Sequence, residues 1–200
     1  MDIFADRVVV GLTGSIASGK STALSNFKRL GWQITSTDAI VSALWKENEY
    51  LKEKISEHWG KDEIFSRGSI DKRKIARLIF ENPQERLWLE NIIHPLVRSN
   101  WVTFIQNSDT RYHVVEVPLL FEKELDSYFQ KTISVYVSQT VQLTRLVNRE
   151  LTIEDAKSRV DSQFSSIDKM NRADFVLSGN GSKEFLSNQV ERISAYLFKT

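Results

Sequence analysis

Residues 8–22 read VVVGLTGSIASGKST. Consecutive valines open a strand, glycines make a turn, and Lys20, Ser21 and Thr22 start a helical pattern. Ala23, Leu24, Phe27 and Leu30 continue that pattern until Gly31 stops it. Gly14, Gly19, Lys20 and Ser21 fit G-x-x-x-x-G-K-[ST], a loop whose backbone N–H groups wrap phosphates. Glycines let the backbone approach phosphate oxygens at positive φ, while turned amides and a helix N-terminus offer partial positive charge to an anion. The nucleotide-contacting set is then Gly14, Ser15, Ala17, Ser18, Gly19, Lys20, Ser21 and Thr22, with Lys20 on the outer phosphates and the Ser21 hydroxyl on Mg²⁺. The alternative is a glycine turn that binds nothing, and the strand-turn-helix context argues against it.

Outward from that loop the chain is ordinary in composition. Its 200 residues are enough for one domain with an insertion. Lys plus Arg number 27 against 26 Asp plus Glu, so net charge gives no general pull toward nucleic acid polymers or an acidic membrane. The absence of cysteine excludes disulfides, thiolate metal sites and Cys nucleophiles. No basic and apolar leader opens the sequence, and no apolar run approaches the roughly 18 residues of a membrane span. A cytoplasmic enzyme, monomeric or weakly self-associating, is the expectation.

Five short segments read as buried strands: residues 8–12, 33–36, 113–117, 132–137 and 175–177. Helical patterns separate them, which implies an α/β fold with a mainly parallel five-stranded sheet flanked by helices. The connection between the second and third strands, about 75 residues, is too long for one crossover helix. It carries helical patterns at 39–59, 71–80 and 84–106, broken at 60–69 and at Asn82-Pro83, and reads as an inserted helical subdomain. Further on, Ser138 is placed to cap a helix through Glu150, and Thr152 with Asp155 to start the next. Arg145 and Arg149 share a face of the first, and Arg159 lies on the second, an arrangement suited to a mobile lid. Ser182 caps a last helix with an apolar stripe of Phe185, Leu186, Val190, Ile193 and Leu197.

Ligands of parallel sheets bind at the carboxyl ends of strands. Asp38 follows the second strand and reads either as a general base for an attacking hydroxyl or as the N-cap of a helix starting at Ala39. Glu116, near the end of the third, reads either as the acid that holds the Mg²⁺ water shell or as a paired structural carboxylate. His94 lies between Glu90 and Arg98 on a polar stripe, as a surface group or a substrate contact. No metal-ligand spacing joins it to His58 or His113. The lid arginines are solvated side chains, or one of them, Arg145 foremost, offsets charge on a transferred phosphoryl group.

With those residues in place, the chain resembles the dephospho-CoA kinase family along nearly its whole length. The resemblance rests on GLTGSIASGKST at 11–22, Asp38, GSIDKRKIARLIFENPQERLWLENIIHPLV at 68–97, VPLLFE at 117–122, VSQTVQLTRLVNRE at 137–150 and SRVDSQFSSIDKMNRADFVL at 158–177. The resemblance implies a P-loop kinase fold that uses ATP and Mg²⁺ to phosphorylate the 3′-hydroxyl of dephospho-CoA, a small-molecule substrate, giving coenzyme A. It further implies a nucleotide-binding core at 1–38, 110–144 and 172–200, an acceptor subdomain at 39–109 and a lid at 145–171. Lys20, Asp38 and Arg145 become the catalytic residues, His94 and the turn Pro118, Leu119 and Leu120 the acceptor contacts, and Ser21 with Glu116 the metal site. The chain departs from the family pattern at Ser36, where an earlier carboxylate is common, and at Ser178-Gly179, where Asp-Asn is common. Rival readings are another P-loop kinase for a nucleoside, nucleotide or shikimate-like acceptor, and a nucleotide-binding switch without turnover. GTPase base-reading and switch motifs are lacking.

Overall fold

In a computed structural model, residue 4 and residues 6–66 and 69–199 are described. Residues 1–3 and 5 of the leader reading, and 67–68 of the expected break at 60–69, lie outside them. The chain runs β1 (Val8–Gly14), α1 (Lys20–Arg29), β2 (Gln33–Ser36), α2 (Thr37–Glu47), α3 (Glu49–Trp59), α4 (Lys61–Ile64), β3 (Phe65–Ser66) and β4 (Ser69–Ile70). It continues through α5 (Lys72–Glu81), α6 (Pro83–Gln106), β5 (Tyr112–Glu116), β6 (Lys131–Tyr136), α7 (Gln139–Val147), α8 (Ile153–Asp161), α9 (Ser166–Arg172), β7 (Phe175–Ser178) and α10 (Lys183–Leu197). Two compact units result, residues 1–36 with 105–200, and residues 37–104.

The first unit is built on β1. Its valines and Leu12 are apolar on both faces, as a central parallel strand requires. It pairs with β5 on one side and β6 on the other, in a parallel sheet ordered β2-β5-β1-β6-β7. The ladder with β6 extends β1 to Gly14, opposite Val135, two residues beyond its expected end. One sheet face is covered by α1 and α10, whose Ala23, Leu24, Phe27, Leu186, Val190 and Leu197 pack with Val10, Val114 and Leu177. Trp32 closes this layer by donating its indole N–H to the Ser194 hydroxyl, 2.8 Å away, so its polar atom is satisfied inside the core. Phe185, expected in the α10 stripe, is exposed, because it falls on the side of the first turn away from the core.

The second unit is mostly helical. The pattern at 39–59 is two helices, since the Asn48 side chain accepts from the Leu51 N–H at 2.7 Å and starts α3 afresh. Across the end of the expected break, β3 and β4 pair antiparallel through Phe65 and Ile70. Beside α3, the His58 imidazole stacks on Trp88 at 3.7 Å, and Glu85 accepts from Trp59 Nε1 and bonds His58 Nε2, each at 2.7 Å. These bonds, Trp59 first, hold the Glu85 carboxyl below its ordinary range.

Candidate active site

The loop between β1 and α1 lies at the carboxyl edge of the sheet, and Gly14 begins it. Its φ is +148°, and a Cβ there would stand 2.6 Å from the Val135 carbonyl, so only glycine lets the chain leave β1 along this path. Lys20 folds back across the loop, Nζ donating to the carbonyls of Gly14 at 2.9 Å and Ser15 at 3.1 Å. Ser21 and Thr22 occupy the first turn of α1, where N–H groups have no intrahelical acceptor and the helix dipole favours an anion. The Ser21 side chain is exposed there.

Helices α7 to α9 close over the loop apex. Ala17 packs with Leu146 of α7 and Ala156 of α8, bordered by Ile16, Leu143, Leu151 and Val160. Gln142 donates from Nε2 to the Ile16 carbonyl at 2.8 Å, while Gln163 accepts the Ile16 N–H at 3.2 Å. The Ser15 and Ser166 hydroxyls share a hydrogen bond. The structure places the Arg145 guanidinium against main chain: Nη1 donates to the Ala17 and Ser18 carbonyls at 3.1 and 3.3 Å, and Nη2 to the Gly179 carbonyl at 2.6 Å. Arg149 and Arg159 are exposed.

Glu116 is 9% exposed at the end of β5, in register with Leu12 of β1 and Ser36 of β2. Its carboxylate and the Ser21 hydroxyl are oxygen donors, the kind a hard cation such as Mg²⁺ takes. Among the described residues no group of three or more His, Cys, Asp or Glu forms a metal cluster. The turn after β5 is fixed through Pro118, whose carbonyl accepts from the Thr13 hydroxyl at 3.2 Å and from Lys169 Nζ at 2.5 Å. Lys169, wholly buried, also pairs with Glu122 at 2.8 Å, and Glu122 accepts the Phe164 N–H at 2.9 Å. Burial pushes the Lys169 ammonium below its ordinary value, against the pull of Glu122. Leu119 is exposed, whereas Leu120 is fully buried beside Gly11, so of these two leucines only Leu119 presents a surface.

In the second unit, Asp38 is exposed in the first turn of α2. The helix starts at Thr37, so Asp38 is not its N-cap, and the alternative left for a carboxylate there is a favourable interaction with the helix dipole. His94 is exposed on α6, one residue before Pro95, while Ile93 and Val97 are buried on the other face. Sequence reasoning gave no role to Gln142, Gln163, Ser166, Glu122 or Lys169. The signal available was that all five fall in strings that carry the family resemblance, Glu122 in 117–122, Gln142 in 137–150, and Gln163, Ser166 and Lys169 in 158–177.

A family model described as dephospho-CoA kinase matches residues 8–184. The dephospho-CoA kinase of Geobacillus kaustophilus is 35% identical over 187 residues, covering 92% of this chain and 93% of that one. That of Staphylococcus aureus is 36% identical over 188 residues, covering 92% and 91%. Among solved structures, a Thermus thermophilus protein superposes with a TM-score of 0.84 at 30% identity, covering 96% of this chain and 98% of that one. The dephospho-CoA kinase of Campylobacter jejuni gives 0.71 at 28% identity, covering 96% and 97%. A shikimate kinase from Bacteroides thetaiotaomicron gives 0.53 at 12% identity, a likeness of fold alone.

Proposed function

The chain belongs to the dephospho-CoA kinase family, and on that premise we propose how its residues divide the transfer of the γ-phosphate of ATP to the 3′-hydroxyl of dephospho-CoA. The loop from Gly14 to Thr22 binds the triphosphate, and Lys20 leaves its two carbonyls for the outer phosphates. Asp38 accepts the proton of the ribose hydroxyl as its oxygen bonds to the γ-phosphorus. The bond from that phosphorus to the β,γ-bridging oxygen breaks, and ADP leaves with the electron pair. His94 and Pro118 to Leu120 serve the acceptor, Leu119 by contact and Leu120 by supporting the turn from inside. Residues 39–109 form the acceptor subdomain, and 145–171 the lid that excludes water from the reacting phosphate. Arg145 shapes the loop from its carbonyl side, leaving Arg149 or Arg159 as the cation for the transferred group.

Ser21 and Glu116 fit Mg²⁺ by their oxygen donors and would hold it, Glu116 through bound water. The ion supplies neutralising charge to the phosphate oxygens. An enzyme fed by ATP is at home in the cytoplasm, and we take it to act as a monomer or weak homo-oligomer. Among the described residues no helix is long and apolar enough to cross a membrane.

The observation that carries the reading is the loop, where Lys20 is already drawn across the start of an anion-receptive turn. The test is ATP consumption with dephospho-CoA beside AMP, adenosine, shikimate and water. Dephospho-CoA alone is expected to support turnover, with Lys20→Met and Asp38→Asn each slowing it by on the order of 100-fold or more. Equal turnover on AMP or shikimate, or full activity in Lys20→Met, overturns the assignment.

A further inference from the structure

Amides of a phosphate-binding loop point inward only if its carbonyls point elsewhere and find donors. Here the five consecutive carbonyls from Gly14 to Ser18 are all taken by side chains. Lys20 holds the first two, Gln142 the third and Arg145 the last two. Lys20 has a separate task at the phosphates, so the helix α7 supplies the permanent donors. The partners fix the orientation of both glutamine amides: a carbonyl takes only the Gln142 NH₂, and an N–H takes only the Gln163 oxygen.

The peptide between Ile16 and Ala17 is where this support is needed. Ala17 has φ +60°, a left-handed conformation that costs energy for any residue with a Cβ. Rotating that peptide unit would bring the Ala17 φ back to negative values. The same rotation would swing the Ile16 carbonyl out of its present direction and take the Ala17 N–H with it. A carbonyl turned toward the anion repels phosphate, so the relaxed loop binds nucleotide poorly. Gln142 is only 2% exposed, and the one described hydrogen bond of its side chain ends on the carbonyl that such a rotation would move.

We propose that Gln142 is a positioning residue for ATP, holding the Ile16 carbonyl outward and so offsetting the strain at Ala17. The inference rests on the nucleotide-binding reading given above. A loop that is competent only part of the time weakens apparent affinity by the competent fraction. Once nucleotide is bound, its phosphates enforce the same conformation, so turnover at saturation is spared.

Gln142→Met is therefore expected to raise KM for ATP, and the calorimetric Kd for MgATP, about tenfold. Its kcat and its KM for dephospho-CoA should stay within about twofold of wild type. Glycine adopts positive φ without penalty, so adding Ala17→Gly to Gln142→Met should recover part of the lost affinity. An unchanged Kd for MgATP overturns the proposal. So does a fall in kcat at unchanged KM, which loss of folded protein would give, or a double variant no better than Gln142→Met. Should Gln142→Met not fold, the wild-type protein still decides. Its Gln142 side-chain amide protons should exchange about 100-fold more slowly than those of an exposed glutamine, and fast exchange overturns the assignment. If wild type fails to phosphorylate dephospho-CoA, the acceptor reading falls while the calorimetry still judges Gln142.

Discussion

At Gly179 a single methyl group is excluded by main chain: a Cβ built there would stand 2.1 Å from the Ser18 carbonyl. The departure from Asp-Asn seen at Ser178-Gly179 therefore accompanies a direct approach of the segment after β7 to the phosphate loop. Arg145 bonds the Ser18 and Gly179 carbonyls together across that approach. Gly179→Ala must push the two strands of main chain apart, and is expected to destabilise the protein by about 1–3 kcal/mol, read from urea denaturation. Sequence alone located the loop because glycine, lysine and serine at fixed spacing have few other uses. It could not tell where Arg145 points, since helical spacing gives a face and not a target. Leu120 is a similar case: the string 117–122 marks the turn, but which leucine turns inward depends on the room that Gly11, lacking a Cβ, leaves for Leu120 and Phe129.

Among elements, the strands of the five-stranded sheet were legible to within one or two residues because buried parallel strands are runs of β-branched and apolar residues. Helix α9 was not read as a separate element. It has seven residues, SIDKMNR, and is anchored by a buried lysine, which any reading by apolar periodicity assigns to the surface. Removing that anchor with Lys169→Met leaves the Glu122 carboxylate without its cation in a site where its side chain is 13% exposed. The expected loss is about 3–5 kcal/mol, and Glu122→Gln added to it should recover part of that in a double-mutant cycle. Ser138 occupies the N-cap position of α7 as expected, yet its side chain makes no capping bond.

On β5, burial pushes the His113 imidazole below its ordinary value, with the Arg7 charge adding to the effect and a backbone bond at Arg111 opposing it. The unfolded chain takes up that proton first as pH falls. Stability from this group is thus complete above the ordinary value of 6.5 and is lost as pH drops through the lower, folded one. The urea midpoint should fall between about pH 7 and about pH 5, and His113→Asn should flatten that slope.

For the molecule as a whole, nucleotide binding and folding are linked, since only the folded loop gathers its amides. MgATP at about 100 times its Kd should stabilise the protein by about 2.7 kcal/mol and raise Tm by roughly 5–10 °C, measured by scanning calorimetry. The same nucleotide should leave Lys20→Met nearly unshifted. The insertion was legible as a span too long for one crossover, whereas its small β3-β4 hairpin was not, because two-residue strands carry no period. Sheet order has a consequence for how the protein is made. Both neighbours of β1, β5 and β6, are encoded more than a hundred residues after it begins. On the ribosome, its valines leave the exit tunnel long before any partner strand exists. The nascent chain must therefore carry a bare apolar ribbon through synthesis of the whole insertion, a natural foothold for a holding chaperone.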